Sequence, residues 1–510
     1  MRTKNSLKNV IIAMLCNTIT LLINFFTQKL FVSNLGIEYS GLNSVFSNII
    51  SMLSISELGI GTAIIYHLYK PIAENDIPKI KILMNFYKKA YNAIAIAVLC
   101  IGLLIIPFIN NFVSADNISE NIYLLYLLFL IDSVISYTAT YKRSIIYANQ
   151  KNRIIDLIHL GYTILMNSFQ IIVLINFKSF IIFLLIKVIC RIIENVVISC
   201  ITDRFYPFLK DKCNDSLDEN VKRDIKLKVK AQLFHSIGGY IVLGTDNIII
   251  SKFLGLAIAG IYGNYILIIN AANTVLTQIF SALTASVGNL LVENNKEKTY
   301  EIYKKIVLIN FIIYGVVTVV FYTVINDFII IWLGNKEYLF SKTIVLLLSI
   351  NIYMQGMRKT MQMFATAAGI CHENRFIPLI EAAINLIASL VLLYFIGLPG
   401  VILGTIISTL ILYLYSFPKY IYYPLFNHKK SEYISEFFRY TLFLIVIFII
   451  NLFFNNLFNF NNIYLNFCSH LFMSFSISFI YFIVIFKNNN EFIWLKSNIL
   501  CKLLKKHKGS

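Results

Sequence analysis

The chain has 510 residues, of which 58% are hydrophobic and only 14% charged, with a mean hydropathy of +0.73 and a formal net charge of +18. Soluble domains carry about 25% charged residues, so a soluble globular protein is excluded. The positive charge first suggests nucleic acid, but its placement along the chain argues for membrane topology instead.

From Asn9 to Lys487 the sequence reads as about fourteen apolar stretches of roughly 20 residues, the length of a bilayer-crossing helix. The proposed spans are 9–32, 41–69, 87–113, 119–140, 154–176, 179–202, 229–252, 256–291, 305–332, 341–368, 376–396, 398–424, 438–457 and 463–486. The first run has no small-x-small cleavage site after it and reads as an uncleaved span. With a cytoplasmic N-terminus, 35 of the 44 Lys and Arg fall in cytoplasmic segments. With span ends good to a few residues, so that charges near a boundary count with the adjoining segment, four are external (Lys178, Lys252, Lys336, Lys342) and five lie deep within spans: Lys29, Lys187, Arg191, Arg358 and Lys359. This bias predicts that both termini are cytoplasmic.

The first half of the sequence recurs in the second. Leu35-Gly36-Ile37-x-x-x-Gly41 returns as Leu254-Gly255-Leu256-x-x-x-Gly260, and Glu74-Asn75-x-x-x-Lys79 as Glu293-Asn294-x-x-x-Lys298, both 219 residues later. Asn152-Arg153-x-Ile155 returns as Asn374-Arg375-x-Ile377, 222 residues later. The fold expected is all-α and polytopic: two six-helix lobes as parallel repeats, residues 1–202 and 229–424, joined by a charged cytoplasmic linker, 203–228. Residues 425–510 add helices thirteen and fourteen and a basic tail. Two such halves are the usual plan of a transporter. The basic stretches Lys79 to Lys89 and Lys296 to Lys305 are expected to lie along the membrane interface.

Ionisable residues within a bilayer default to functional hypotheses. Arg358 and Lys359 sit about two-thirds along span ten, with nothing acidic beside them in sequence. They predict either a site for an anionic group, most naturally phosphate, or pairing with a carboxylate elsewhere. Span six places Lys187, Arg191 and Glu194 on one face, as a second cationic patch or as an Arg191–Glu194 ion pair. Glu57, Asp132 and Asp246 are candidates either for ion or proton coupling or for neutralising a cation. His235 shares a helix face with Asp246. Polar stripes run along span one (Asn17, Thr20, Asn24, Gln28) and span eight (Asn270, Asn273, Thr277, Gln278, Ser281, Thr284). Such stripes line water or bind neighbouring helices, and Asn24, Gln28, Asn273 and Gln278 are the cavity candidates.

Enzyme signatures are absent: there is no Walker A loop, no His-x-x-x-His and no Gly-x-Ser-x-Gly. The eight cysteines include no Cys-x-x-Cys, so no zinc site or disulfide framework is implied. No cofactor is expected. External loops are too short for a soluble catalytic domain.

Two motifs carry a family resemblance. Glu57-Leu58-Gly59-Ile60-Gly61-Thr62-Ala63, followed by Tyr69-Lys70-Pro71, resembles the second-helix signature of bacterial polysaccharide repeat-unit flippases of the Wzx type. Tyr147-Ala148-Asn149-Gln150-Lys151-Asn152-Arg153 is similar to their segment after helix four. These flippases belong to the multidrug/oligosaccharidyl-lipid/polysaccharide (MOP) exporter superfamily. The resemblance implies a V-shaped pair of lobes around a cationic cavity, in the bacterial inner membrane. It implies alternating access, with undecaprenyl-diphosphate-linked oligosaccharide as substrate for capsule or O-antigen export. Possible companions to this reading are proton or sodium coupling, and pathway glycosyltransferases and a polymerase as partners of a monomer. The alternatives are a lipid II flippase, a multidrug/cation antiporter and, from another class, a membrane-embedded polysaccharide polymerase.

Overall fold

The computed structural model describes residues 2–54, 60–113, 118–211, 217–293, 295–370 and 376–497. Every regular element among the described residues is helical. The chain forms two compact units, Met1–Leu267 and Ile268–Ser510.

The first unit holds α1 (Arg2–Leu35), α2 (Ile37–Leu53), α3 (Ile60–Glu74), α4 (Ile77–Ile105), a short α5 (Ile109–Phe112), α6 (Ile122–Tyr137), α7 (Thr140–Ala148), α8 (Asn152–Asn176), α9 (Phe180–Phe205) and α10 (Glu219–Leu254). The boundary between units falls within α11 (Leu256–Val292). The second unit continues with α12 (Lys296–Leu333), α13 (Lys342–Ala368), α14 (Ile377–Ile396) and α15 (Leu398–Ile411). A π-helical stretch, Leu412–Tyr422, contains Pro418, and leads through α16 (Tyr423–Phe426) to α17 (Lys430–Leu457), α18 (Ile463–Phe486) and α19 (Asn490–Leu495). The connections are short, and many helices open on a side chain that accepts an otherwise orphaned backbone N–H: Asn121, Ser179, Asp218, Ser341 and Asn462.

The 219-residue interval is written into the backbone. Left-handed residues recur at it: Gly36 (φ 98°) with Gly255 (93°), Gln150 (56°) with Gly369 (70°), and Lys178 (47°) with Gly397 (68°). So do helix caps: Asp76 accepts from the Lys79 N–H, and Asn295 from the Lys298 N–H, each at 3.0 Å. Two equivalent segments also meet each other. A Cβ on Gly41 would lie 2.0 Å from the Leu256 carbonyl oxygen, and one on Gly260 would lie 2.1 Å from that of Ile37. Because Ile37 and Leu256 are themselves equivalent, the contact is reciprocal. Small residues permit such backbone approach, which gives helices in lipid their packing energy where the hydrophobic effect cannot.

Nine helices among the described residues are long and apolar enough to cross a membrane, or ten if α6 and α7, bent by 41°, count as one. The other proposed spans fall on α2 with α3, and on α9, α10 and α13. The last three are 26, 36 and 27 residues long, and they carry the intramembrane charges Lys187, Arg191, Asp246, Arg358 and Lys359. Fourteen is thus the number of stretches proposed, and nine or ten the number whose composition alone suits hydrocarbon. The two basic stretches expected at the interface form the opening turns of α4 and α12, continuous with the spans that follow.

Gly41→Leu and Gly260→Leu should each destabilise the protein by about 3 kcal/mol or more, because the atoms in the way are backbone and cannot repack. Gly161→Ala, with nothing within 4 Å, should stay within about 1 kcal/mol of wild type. Thermal unfolding in detergent compares them; equal effects would show that the α2–α11 approach is not tight.

Candidate functional site: two clusters of intramembrane charge

In the first unit, five charged side chains and a histidine form one network. Asp132 of α6 lies 3.2 Å from Lys187 Nζ and 3.2 Å from Arg191 Nε, both on α9. Arg191 Nη1 reaches Glu194 at 2.7 Å, one turn along the same helix. Glu194, whose side chain is 1% exposed, also holds Arg143 at 3.2 Å and His159 Nδ1 at 3.0 Å. The bend between α6 and α7 is what brings Arg143 to an acid 51 positions away in sequence. Aromatic faces complete the surroundings, with the Arg191 guanidinium 4.7 Å from the Tyr162 ring and Lys187 Nζ 5.0 Å from Phe129. Asn195 accepts from Arg143 and donates to the Ile135 carbonyl, pinning α9 to α6. Asp156 lies a turn before His159 on α8.

In the second unit, Arg358 of α13 pairs with the buried Glu381 of α14 at 3.0 Å. Two glutamines on its own helix share its remaining donors. Gln355 Oε1 accepts from Nη1 at 3.1 Å, and Gln362, with its amide oxygen turned inward, accepts from Nε at 2.9 Å and Nη2 at 3.1 Å. Close packing positions this helix. Gly356 leaves room for the Tyr314 ring of α12, and Asn310 donates to the Gly356 and Met357 carbonyls at 3.1 and 3.3 Å. The tight α14–α15 turn at Gly397, where Gly400 lies against the Leu392 carbonyl, sets the position of α14. Lys359 is half-buried and has no carboxylate or hydrogen-bond partner among the described residues. Adjacent helical positions diverge by about 100°, so Lys359 cannot share the Glu381 carboxylate that holds Arg358.

The other expected residues are dispersed. Asp246 accepts from the Tyr262 hydroxyl at 3.4 Å in the first unit, remote in sequence from the Asp132 network. Gln28 donates to Ser40 and Asn264, both at 2.8 Å, and Asn24 accepts from Asn167 at 3.5 Å. Asn273 accepts from Tyr314 at 3.4 Å, and Gln278 is half-exposed. Glu57 and the His235 side chain lie outside the described residues, as do Asn374 and Arg375 of the second repeat. Among the described residues no set of three His, Cys, Asp or Glu side chains is arranged to hold a metal ion.

Sequence reasoning missed Glu381, Arg143 and His159. Glu381 was findable, as an acid within proposed span eleven. Arg143 was assigned to a cytoplasmic loop, because only the bend after α6 returns it to the network.

Removing one partner of a buried pair leaves the other charge uncompensated, at about 3–5 kcal/mol. Glu381→Gln should therefore destabilise by about 3 kcal/mol or more, and Glu381→Gln/Arg358→Gln by clearly less than the sum of the single effects. A double-mutant cycle on unfolding midpoints tests this; additive effects would mean the two side chains are not coupled.

No protein-family model matches the sequence, and neither does any curated protein. Among solved structures, the lipid II flippase MurJ in an inward closed conformation matches with a TM-score of 0.66 at 14% identity, covering 94% of this chain and 99% of that one. An inward-facing multidrug resistance MATE transporter of the MOP superfamily gives 0.56 at 13% identity, covering 79% and 95%. A MATE protein in complex with MaL6 gives 0.54 at 14%, covering 80% and 93%. The chain has the fold shared by MurJ and the MATE transporters of the MOP superfamily.

Proposed function

We propose that the protein is a flippase that moves undecaprenyl-diphosphate-linked oligosaccharide repeat units from the cytoplasmic to the external leaflet of the bacterial inner membrane. The observation that carries the reading is Lys359: a half-buried cation about two-thirds along α13, with its neighbour Arg358 already neutralised by Glu381. An ammonium at that depth with no partner among the described residues is costly, and the cost is offset when an anion arrives. A diphosphate head cannot enter hydrocarbon alone, because its charges would lose their hydration. Charge-assisted hydrogen bonds from Lys359 replace part of that hydration, while the polyprenyl tail remains in lipid. Lys187 and Arg191 form a second tier. They can hold an anion only by releasing Asp132 and Glu194.

In this reading residues 1–202 and 229–424 are the bodies that alternate, 203–228 is a cytoplasmic linker, and 425–510 is an addition to the repeat. Both termini are cytoplasmic, and a monomer suffices. The chain transports and does not catalyse. Proton or sodium coupling would use Glu57, Asp132 or Asp246. Glycosyltransferases and a polymerase of the same pathway would be its partners. The second reading, a lipid II flippase, is favoured by the near end-to-end match to MurJ, whereas the MATE matches leave about a fifth of this chain uncovered. Both readings place a polyprenyl diphosphate at Lys359 and differ in the glycan.

Depletion of the protein should leave a lipid-linked oligosaccharide on the cytoplasmic leaflet. Wild type should restore its export and Lys359→Gln should not; the glycan that accumulates separates the repeat-unit reading from lipid II. Rescue by Lys359→Gln would move the site to Lys187 and Arg191. No accumulation would sink the flippase reading in favour of a small-cation exporter. If transport is coupled, its rate in proteoliposomes should fall when proton and sodium gradients are dissipated; an unchanged rate removes the coupling.

A further inference from the structure

Three helices of the second unit, α12, α17 and α18, share a polar seam that neither charge cluster uses. Its first rung is Asp327 of α12, which accepts from Asn466 at 2.8 Å and lies 3.6 Å from His470 Nδ1, both on α18. One turn further along α18, Ser474 meets Thr323 of α12 at 2.9 Å and accepts from Asn455 of α17 at 3.1 Å. A third rung follows from the same antiparallel register, with Ser478 of α18 and Asn451 of α17, one helical turn on from Ser474 and Asn455. Asn466, His470, Ser474 and Ser478 are spaced by four residues on one face of α18, so the seam runs about 18 Å along the helix. Beyond it Phe482 fills the space over Gly315 and packs on Phe311 and Phe486, an apolar end.

Polar residues between membrane helices often serve only to join them. Here too many acceptors are left over. Asn451 Oδ1, Asn455 Oδ1, Ser478 Oγ and His470 Nε2 are buried with no hydrogen-bond partner among the described residues. The two amides are not simply reversed, since Asn451 Nδ2 donates to the Ile447 carbonyl and Asn455 Nδ2 to Ser474. Buried polar atoms are satisfied by protein or by ordered water. The face is also not a demand of the fold. Positions 219 residues earlier, equivalent to Thr323 and Asp327, are Leu104 and Phe108, which are 71% and 55% exposed.

We propose that α12, α17 and α18 enclose an oxygen-lined inlet that takes up water and small monovalent cations at its Asp327 end and is sealed beyond Ser478 by Phe482. The lining supplies hydroxyl and amide oxygens, ligands suited to hard cations and water. The single carboxylate at the mouth supplies the counter-charge that a cation needs when it leaves bulk water. This inlet goes beyond the transport reading and does not depend on it.

The test uses the full chain in lipid nanodiscs, with its native cysteines replaced and Ser474→Cys, Ser478→Cys or Phe486→Cys introduced. Silver ion serves as the cation probe and methyl methanethiosulfonate as a neutral one. The readout is the fraction of thiols still free after denaturation. Both probes should modify Ser474→Cys and Ser478→Cys far faster than Phe486→Cys. Adding Asp327→Asn should slow silver at Ser474→Cys by roughly tenfold, the size of one unit charge about 10 Å away at intermediate dielectric, and leave the neutral probe unchanged. Inlet positions no faster than Phe486→Cys would show a dry seam and overturn the proposal. Silver indifferent to Asp327→Asn would overturn its cation part. If Ser474→Cys does not give monodisperse protein, Asn451→Cys reads the inner rung. Because no transport is measured, failure here is separate from failure of the flippase reading.

Discussion

The cost of holding a charge away from water governs this protein. Its cations on α9 and α13 sit in helices that would otherwise suit hydrocarbon, and each must find compensation within the fold. Asp132 and Glu194 between them engage Lys187, Arg191, Arg143 and His159, so no member of that set can be lost without exposing another. Glu381 and two glutamines do the same for Arg358. Lys359 stands outside this accounting, with no carboxylate partner among the described residues.

Compensation of this kind requires helices held at fixed separations, and lipid supplies no hydrophobic force to hold them. Close backbone approach does so instead. The Gly41–Gly260 contact, Gly356 under the Tyr314 ring and Gly400 against the Leu392 carbonyl each set a helix spacing that a methyl group would disrupt. The last two flank the Arg358–Glu381 pair, so the geometry of the charge depends on these packing contacts.

The 219-residue interval separates what the backbone demands from what faces can change. Left-handed turns and helix caps recur at equivalent positions because the same chain reversals need the same dihedrals and the same satisfied N–H groups. Helix faces did not stay alike. The face that reads Leu104 and Phe108 in the first copy reads Thr323 and Asp327 in the second, where α18, backed by α17, covers it. Burial by two further helices makes polarity tolerable there, since those helices provide partners that lipid cannot.

Composition alone determined that the chain is helical and membrane-embedded, because long apolar runs can satisfy their backbone in lipid only as helices. The spacing of Gly36 and Gly255 showed the repeat, since a positive φ is a local requirement visible in one residue. Depth within a span identified Lys187, Arg191, Arg358 and Lys359 as unusual, which needs only counting. Which of them is neutralised could not be read that way. Glu381 is 23 positions from Arg358, and Arg143 is 51 from Glu194, so each pairing depends on how separate helices dock and bend. The tertiary structure decided that, among the described residues, Arg358 and not Lys359 has a counter-ion, because partner choice is a matter of side-chain direction across helices, and linear sequence carries no such direction.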